Sequence, residues 1–276
     1  MTSAAKSAGN SAKGHARNAA DSKPVKIGAR IGIAAYGVTH LIIAWLALQL
    51  AFGSGGQTDQ QGAFAALGQQ PFGRFLLWFM AVGFVAVALW RLEQAIWGYN
   101  YVDDKSKKTR KKVTAGVKVV LFAVLAVMAA RTAMGSGGGG GGQQQATAGV
   151  LGMPGGQILV GLAGLIVLGV GIKKIVDGIK TKFVEDMDLP SQKQARQTAI
   201  RTGQVGFVAK GTTIGLIGVL LTVAAVRFNP EQATGLDAAL KTLAEQPYGT
   251  VLLILMAIGL AAYAVFCAFD ARYPRV

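Results

Sequence analysis

Residues 31–52 read IGIAAYGVTHLIIAWLALQLAF, without a charged side chain. A helix of this length extends about 33 Å at 1.5 Å per residue, enough to cross a hydrocarbon layer of roughly 30 Å. Five further runs have the same character, near 74–92, 114–134, 157–176, 205–226 and 249–269. The fourth contains VGLAGLIVLGVGI, with Gly161, Gly164, Gly169 and Gly171. Glycine weakens a soluble helix but lets membrane helices approach closely, so this run reads as a span and as a central packing element. Barrel strands alternate over about ten residues, and these continuous runs are twice that long, which excludes a β-barrel.

Composition agrees. Apolar residues make up 52% of the 276 and charged residues 15%, below the roughly 25% charged that is usual in soluble domains. A net charge of +15 would suit nucleic-acid binding if it were spread over one soluble surface. It is instead confined to alternate connections, the loop bias of a membrane protein, and no nucleic-acid partner is expected.

The segment up to Arg30, the connections 91–118 and 173–210, and the C-terminal end with Asp270, Arg272 and Arg275 hold 24 of the 28 basic residues and nine of the 13 acidic ones. The other face carries Arg74, Arg131, Arg227 and Lys241 against Asp59, Glu231, Asp237 and Glu245, and is neutral. By the positive-inside rule both termini are expected in the cytoplasm, with the protein in the plasma membrane. Residues 1–27, rich in Ala, Ser, Gly and Lys, read as a disordered basic tail. The first apolar run is a full span rather than a short signal segment, so an uncleaved helix is expected. The basic runs Lys105 to Lys112 and Lys173 to Lys182 suit anionic lipid headgroups.

A template recurs three times. Pro71-Phe72-Gly73, Pro154-Gly155-Gly156 and Pro247-Tyr248-Gly249 each open an even-numbered span. Proline tolerates a helix start, because the missing N–H is one that the first turn leaves unbonded. In the first helices of copies one and three, Ile31 to Gly37 aligns with Val205 to Gly211 without gaps, and in the second helices Gly83 aligns with Gly259. Aligning the prolines brings Gln94, Asp177 and Asp270 to one level. The repeats are read as 28–98, 109–183 and 201–273. Two spans per copy give every copy the same orientation, so the expected fold is all-α: six transmembrane helices from three tandem two-helix repeats in a pseudo-three-fold bundle.

With the Tyr36-Gly37 pair and the three Pro-x-Gly starts, the chain from Arg30 to Tyr273 resembles the DUF1206 family of membrane proteins. That resemblance implies six helices in three copies and implies no activity.

Polar residues inside the spans are the candidate site, because an intramembrane polar group is costly to keep. His40 lies about 15 Å past Arg30, with Tyr36 one turn before it on the same helical face. Lys210 is expected either to snorkel to the interface or to pair with Asp270. Lys118 and Asp177 form a looser version of that pair, and Arg91 and Glu93 mark the end of the second span. Cys267 reads as a small apolar packing residue.

With His15 and His40 the only histidines and Cys267 the single cysteine, no metal site, haem or other cofactor is expected. No nucleophile–base constellation appears, so an enzyme is not expected. The loop GSGGGGGGQQQ (135–145) lacks the features of a phosphate loop and reads as a flexible connector. Two roles remain. One is a structural or scaffold protein whose basic loops contact anionic lipid or an unknown protein partner. The alternative is a small-solute or ion transporter, channel or membrane sensor using Tyr36, His40 and Lys210.

Overall fold

Each Pro-x-Gly is the corner of a β-turn with proline at its second position. Gly73 N–H donates to Gln70 O at 2.8 Å, Gly156 N–H to Met153 O at 2.9 Å and Gly249 N–H to Gln246 O at 2.8 Å. Proline supplies the backbone angle this position needs. The closing glycine is needed for space. A Cβ there would run into the carbonyl of Leu67, Val150 or Ala244 respectively, in the preceding turn of helix. The same corner therefore folds a short helix back against the start of a long one in all three copies.

The computed structural model describes residues 23–54, 56–98, 104–136, 142–229 and 235–273. The helices are α1 (Lys23–Ala51), α2 (Gln60–Gly68), α3 (Gly73–Ile96), α4 (Lys105–Ala133), α5 (Gly142–Leu151), α6 (Gly156–Ile179), α7 (Lys193–Arg227), α8 (Leu236–Ala244) and α9 (Gly249–Arg272), with a 3₁₀ turn at Lys182–Asp186. Six of them, α1, α3, α4, α6, α7 and α9, are long and apolar enough to cross a membrane. The fold is an all-α six-helix membrane bundle built from three repeats of a long helix, a short helix and a second long helix. The short helices α2, α5 and α8 are a repeated element that spans and turn motifs alone do not announce.

The spanning helices follow one another around a ring, α1 on α3, α3 on α4, α6 on α7, α7 on α9 and α9 on α1. α4 and α6, the two spans of the second repeat, do not pack together in the same way. The ring is thus open at one seam, while the corresponding contacts inside repeats one and three are made. α2 rests on α1, α3 and α4, and α8 on α7, α9 and α1, whereas α5 rests mainly on α6, with Leu151 also joining a cluster that includes Ala225 of α7.

The glycine-rich helix α6 is not central, contrary to the expectation from its composition. It packs against α7 and α5 and turns most of its surface outward, leaving Ile158, Leu162, Leu165, Ile166 and Ile172 exposed. Gly164, Gly171 and Gly178, seven residues apart, form a narrow stripe along one face. A Cβ on Gly171 would lie 2.5 Å from the backbone nitrogen of Gly215, and one on Gly164 2.7 Å from that of Thr222. Gly169 faces open space. The stripe pins α6 to one neighbour by backbone contact, and it provides no second face for α4.

The helices also extend beyond their apolar runs. α1 begins at Lys23, so the expected disordered tail 1–27 overlaps its first turn; residues 1–22 lie outside the described residues. The basic run Lys105 to Lys112 is the opening of α4 rather than a loop. In the expected flexible connector 135–145, Gln143 to Gln145 belong to α5, while 137–141 lie outside the described residues.

Candidate polar site inside the bundle

Tyr36 on α1 is buried, and its ring is met by side chains from three other helices. Phe122 of α4 approaches edge-on at 5.2 Å between centroids, and Tyr263 of α9 at 6.3 Å. Lys210 of α7 donates from Nζ to the Tyr36 hydroxyl oxygen at 2.7 Å. The same ammonium lies 4.5 Å from the Tyr36 ring centroid and 4.1 Å from that of Tyr263. It therefore turns inward to aromatic faces instead of snorkelling to the interface.

His40, one turn beyond Tyr36, is buried and packs 4.3 Å from the Tyr36 ring and 4.9 Å from that of Tyr263. Its Nδ1 lies 2.8 Å from the Tyr36 carbonyl oxygen. A carbonyl only accepts, so Nδ1 carries the proton in this bond. The bond is within one helix, not between helices. Tyr36, His40, Lys210 and Tyr263 thus form one cluster drawn from α1, α7 and α9. Tyr263 went unnoticed in the sequence because a tyrosine within an apolar run has no periodic or charge signal.

Aromatic contacts continue from this cluster. Phe207 of α7 meets Tyr263 at 5.7 Å and stacks on Phe183 of the 3₁₀ turn at 4.9 Å, and Lys174 of α6 lies 4.9 Å from the Phe207 ring centroid. Cys267 is buried, and its Cβ would contact a Cβ built on Gly37, consistent with a packing role at the α1–α9 crossing.

Asp270 does not join Lys210. It lies within electrostatic reach of Arg91 and Lys118. Arg91 donates to Gln94 Oε1 at 2.7 Å, and its buried Nε has no partner among the described residues. Glu93 sits on the same turn of α3. Asp177 pairs with Lys173 at 3.4 Å, one turn earlier on α6, not with Lys118. Lys118, Lys174 and Lys210 have no ion-paired carboxylate among the described residues.

The energetics decide what this arrangement can do. A lysine at the bilayer centre costs about 2.5–3.5 kcal/mol on insertion scales, an upper bound for Lys210, the sixth residue of the apolar run 205–226. A desolvated cation–π contact returns up to about 2 kcal/mol, and the phenol adds a single hydrogen bond. The aromatic shell positions the ammonium without neutralising it, so an anion brought to Lys210 would find a fixed, partly desolvated positive charge. Among the described residues no group of three or more His, Cys, Asp or Glu side chains could hold a metal.

At the neutral end of the bundle, α2 and the segment before it make a separate polar contact. Asp59 caps α2 through Gly62 N–H at 2.8 Å, and Thr58 N–H donates to Asp237 of α8 at 2.6 Å, joining repeats one and three. Burial raises the Asp59 carboxyl above the usual carboxylate range, and the neighbouring Asp237 adds to the shift against the pull of Gly62 N–H and Gln57.

Comparison with known proteins closes the description. A protein of Bacillus subtilis (strain 168) named "Uncharacterized protein YxxB" is 29% identical over 258 residues, covering 93% of this chain and 94% of that protein. No solved structure matches the chain. The family described as Domain of Unknown Function (DUF1206) matches three times, at 31–98, 113–181 and 205–274. Those three segments take in all six spans, and the chain belongs to the DUF1206 family of membrane proteins.

Proposed function

We propose that this protein is a small-solute or ion transporter, channel or sensor that takes an anion at the Lys210–Tyr36 cluster inside the bundle. The observation that carries this reading is the Lys210 ammonium, held at 2.7 Å by the Tyr36 hydroxyl between two tyrosine rings, with no ion-paired carboxylate among the described residues. A scaffold role would let each intramembrane polar group be satisfied on its own. Here groups from α1, α7 and α9 converge on one cation, which favours the binding role. In the same reading the basic end faces the cytoplasm of a plasma membrane, with Lys105 to Lys112 and Lys173 to Lys182 against anionic headgroups.

The test is thermal unfolding of the purified protein in detergent with chloride, nitrate, phosphate and acetate at fixed ionic strength. A bound anion raises Tm with concentration by mass action. The reading expects at least one anion to do so for wild type. Lys210→Met should unfold at a higher temperature without anion, having lost an uncompensated cation, and should not respond to that anion. Equal anion responses in wild type and Lys210→Met would contradict the reading.

A further inference from the structure

The open seam between α4 and α6 has a sequence basis. Where α1 crosses α3, a Cβ on Gly32 would run into the carbonyl of Gly83, so the crossing exists because both residues are glycine. In the third repeat the corresponding Gly206 and Gly259 sit against Tyr263 and Ala209 across the α7–α9 crossing. Measured from each proline, the second-repeat counterpart of Gly83 is Ile166; measured from the starts of the three family segments, that of Gly32 is Thr114. Neither can enter a backbone crossing, and both are exposed.

The same registers place Lys118 with Tyr36 and Lys210, and Lys174 with Arg91 and Cys267. The second repeat is therefore the one with a lysine at both positions. One stands on each wall of the seam, Lys118 on α4 and Lys174 on α6, within electrostatic reach of each other. Asp186 lies within electrostatic reach of both and Asp270 of Lys118, but neither lysine is in an ion pair among the described residues. Beyond them, Lys111 of α4 bonds Asp186 of the 3₁₀ turn at 2.9 Å and bridges the seam at the basic end. Above them the exposed side chains are apolar, with Leu121 and Val124 on α4 and Ile166 and Val170 on α6.

A site with two cations toward the basic end of the spans and an apolar slot leading into the bilayer matches one kind of occupant. We infer that the α4–α6 seam holds an anionic membrane lipid, its phosphate between Lys118 and Lys174 and an acyl chain in the slot that the missing glycine crossing leaves open. The lipid replaces the protein contact that repeats one and three make internally. This site uses other lysines than the Lys210 cluster, although Lys174 lies within electrostatic reach of Lys210, and it does not depend on the anion reading.

The test is native mass spectrometry of the full chain released from phosphatidylcholine vesicles containing about a tenth phosphatidylglycerol. Wild type is expected to retain phosphatidylglycerol through activation that strips phosphatidylcholine. Lys118→Met/Lys174→Met should lower that retention about tenfold or more, because the charge-assisted contacts are lost. Lys118→Arg/Lys174→Arg should keep it, which separates headgroup recognition from misfolding. Arg74→Gln, at the neutral end of the bundle, should leave it unchanged. Added inorganic phosphate should not displace it, since the acyl chain contributes to binding; displacement by phosphate, or equal retention in the double Met variant, would overturn the inference.

Discussion

The crossing of α1 with α3 and the uncrossed pair α4 and α6 occupy equivalent places in two copies of one repeat, yet only the first is closed. The difference comes from a few side chains. Gly32 and Gly83 let two backbones touch, whereas their counterparts Thr114 and Ile166 carry side chains that no such crossing could accommodate. In lipid there is no hydrophobic gain in hiding one apolar helix against another, so close packing at small residues decides which helices associate. A three-repeat protein can therefore keep its pseudo-symmetric order and still have one distinct opening.

The largest effect is expected where backbones touch most closely. Gly171→Val adds bulk against the Gly215 backbone, which cannot yield as a side chain tip can. Overpacking of this kind costs about 1–3 kcal/mol or more. The variant should lose its monodisperse peak on size-exclusion chromatography in detergent, and Gly169→Val, which faces open space two residues away, should retain it. Similar behaviour in both variants would mean that α6 is not held to α7 by the stripe.

The comparison between repeats can be broken more directly by cross-linking in a Cys267→Ala background. A Cβ built on Gly28 lies 2.7 Å from that of Ala86, so Gly28→Cys/Ala86→Cys should form a disulfide on mild oxidation. The equivalent second-repeat pair, Arg110→Cys/Gly169→Cys, should not. Efficient cross-linking of both would show that α4 and α6 close like α1 and α3.

The smallest effect lies at the neutral end, where Thr58 and Asp237 tie the first repeat to the third. The raised Asp59 carboxyl binds its proton more tightly in the folded protein than in the unfolded one. Stability should therefore increase as pH falls through that raised value and level off below the ordinary carboxylate range. Asp59→Asn keeps a capping side chain but cannot titrate. Its Tm should vary less between pH 7 and pH 4 than that of wild type, measured in the same detergent.

Much of the fold could be read from the residues alone. Continuous apolar length identifies six spans, and three Pro-x-Gly corners identify three copies, because both depend on local chemistry. The open seam was not legible in that way, since it depends on two glycines missing from one copy, and their absence has meaning only once the other copies are seen to cross there. For the same reason α6 looked central: its glycines show that some helix comes close, but not how many. In the candidate site, Tyr36, His40 and Lys210 stood out as polar groups in apolar runs. The contact between Tyr36 and Lys210 joins residues 174 positions apart, and no local pattern encodes it. Asp270, equally conspicuous, lies with Arg91 and Lys118 instead, because the turn of α9 that carries it faces the basic end.

The most direct test of an anion site at Lys210 is flux through the protein in sealed liposomes, using the anions that raise Tm and reading the current on a solid-supported membrane. The account predicts an anion-dependent current in wild type that falls at least about tenfold in Lys210→Met and less in Tyr36→Phe, which removes one hydrogen bond but keeps the ring. An equal current in wild type and Lys210→Met, or a current carried by cations alone, would contradict it.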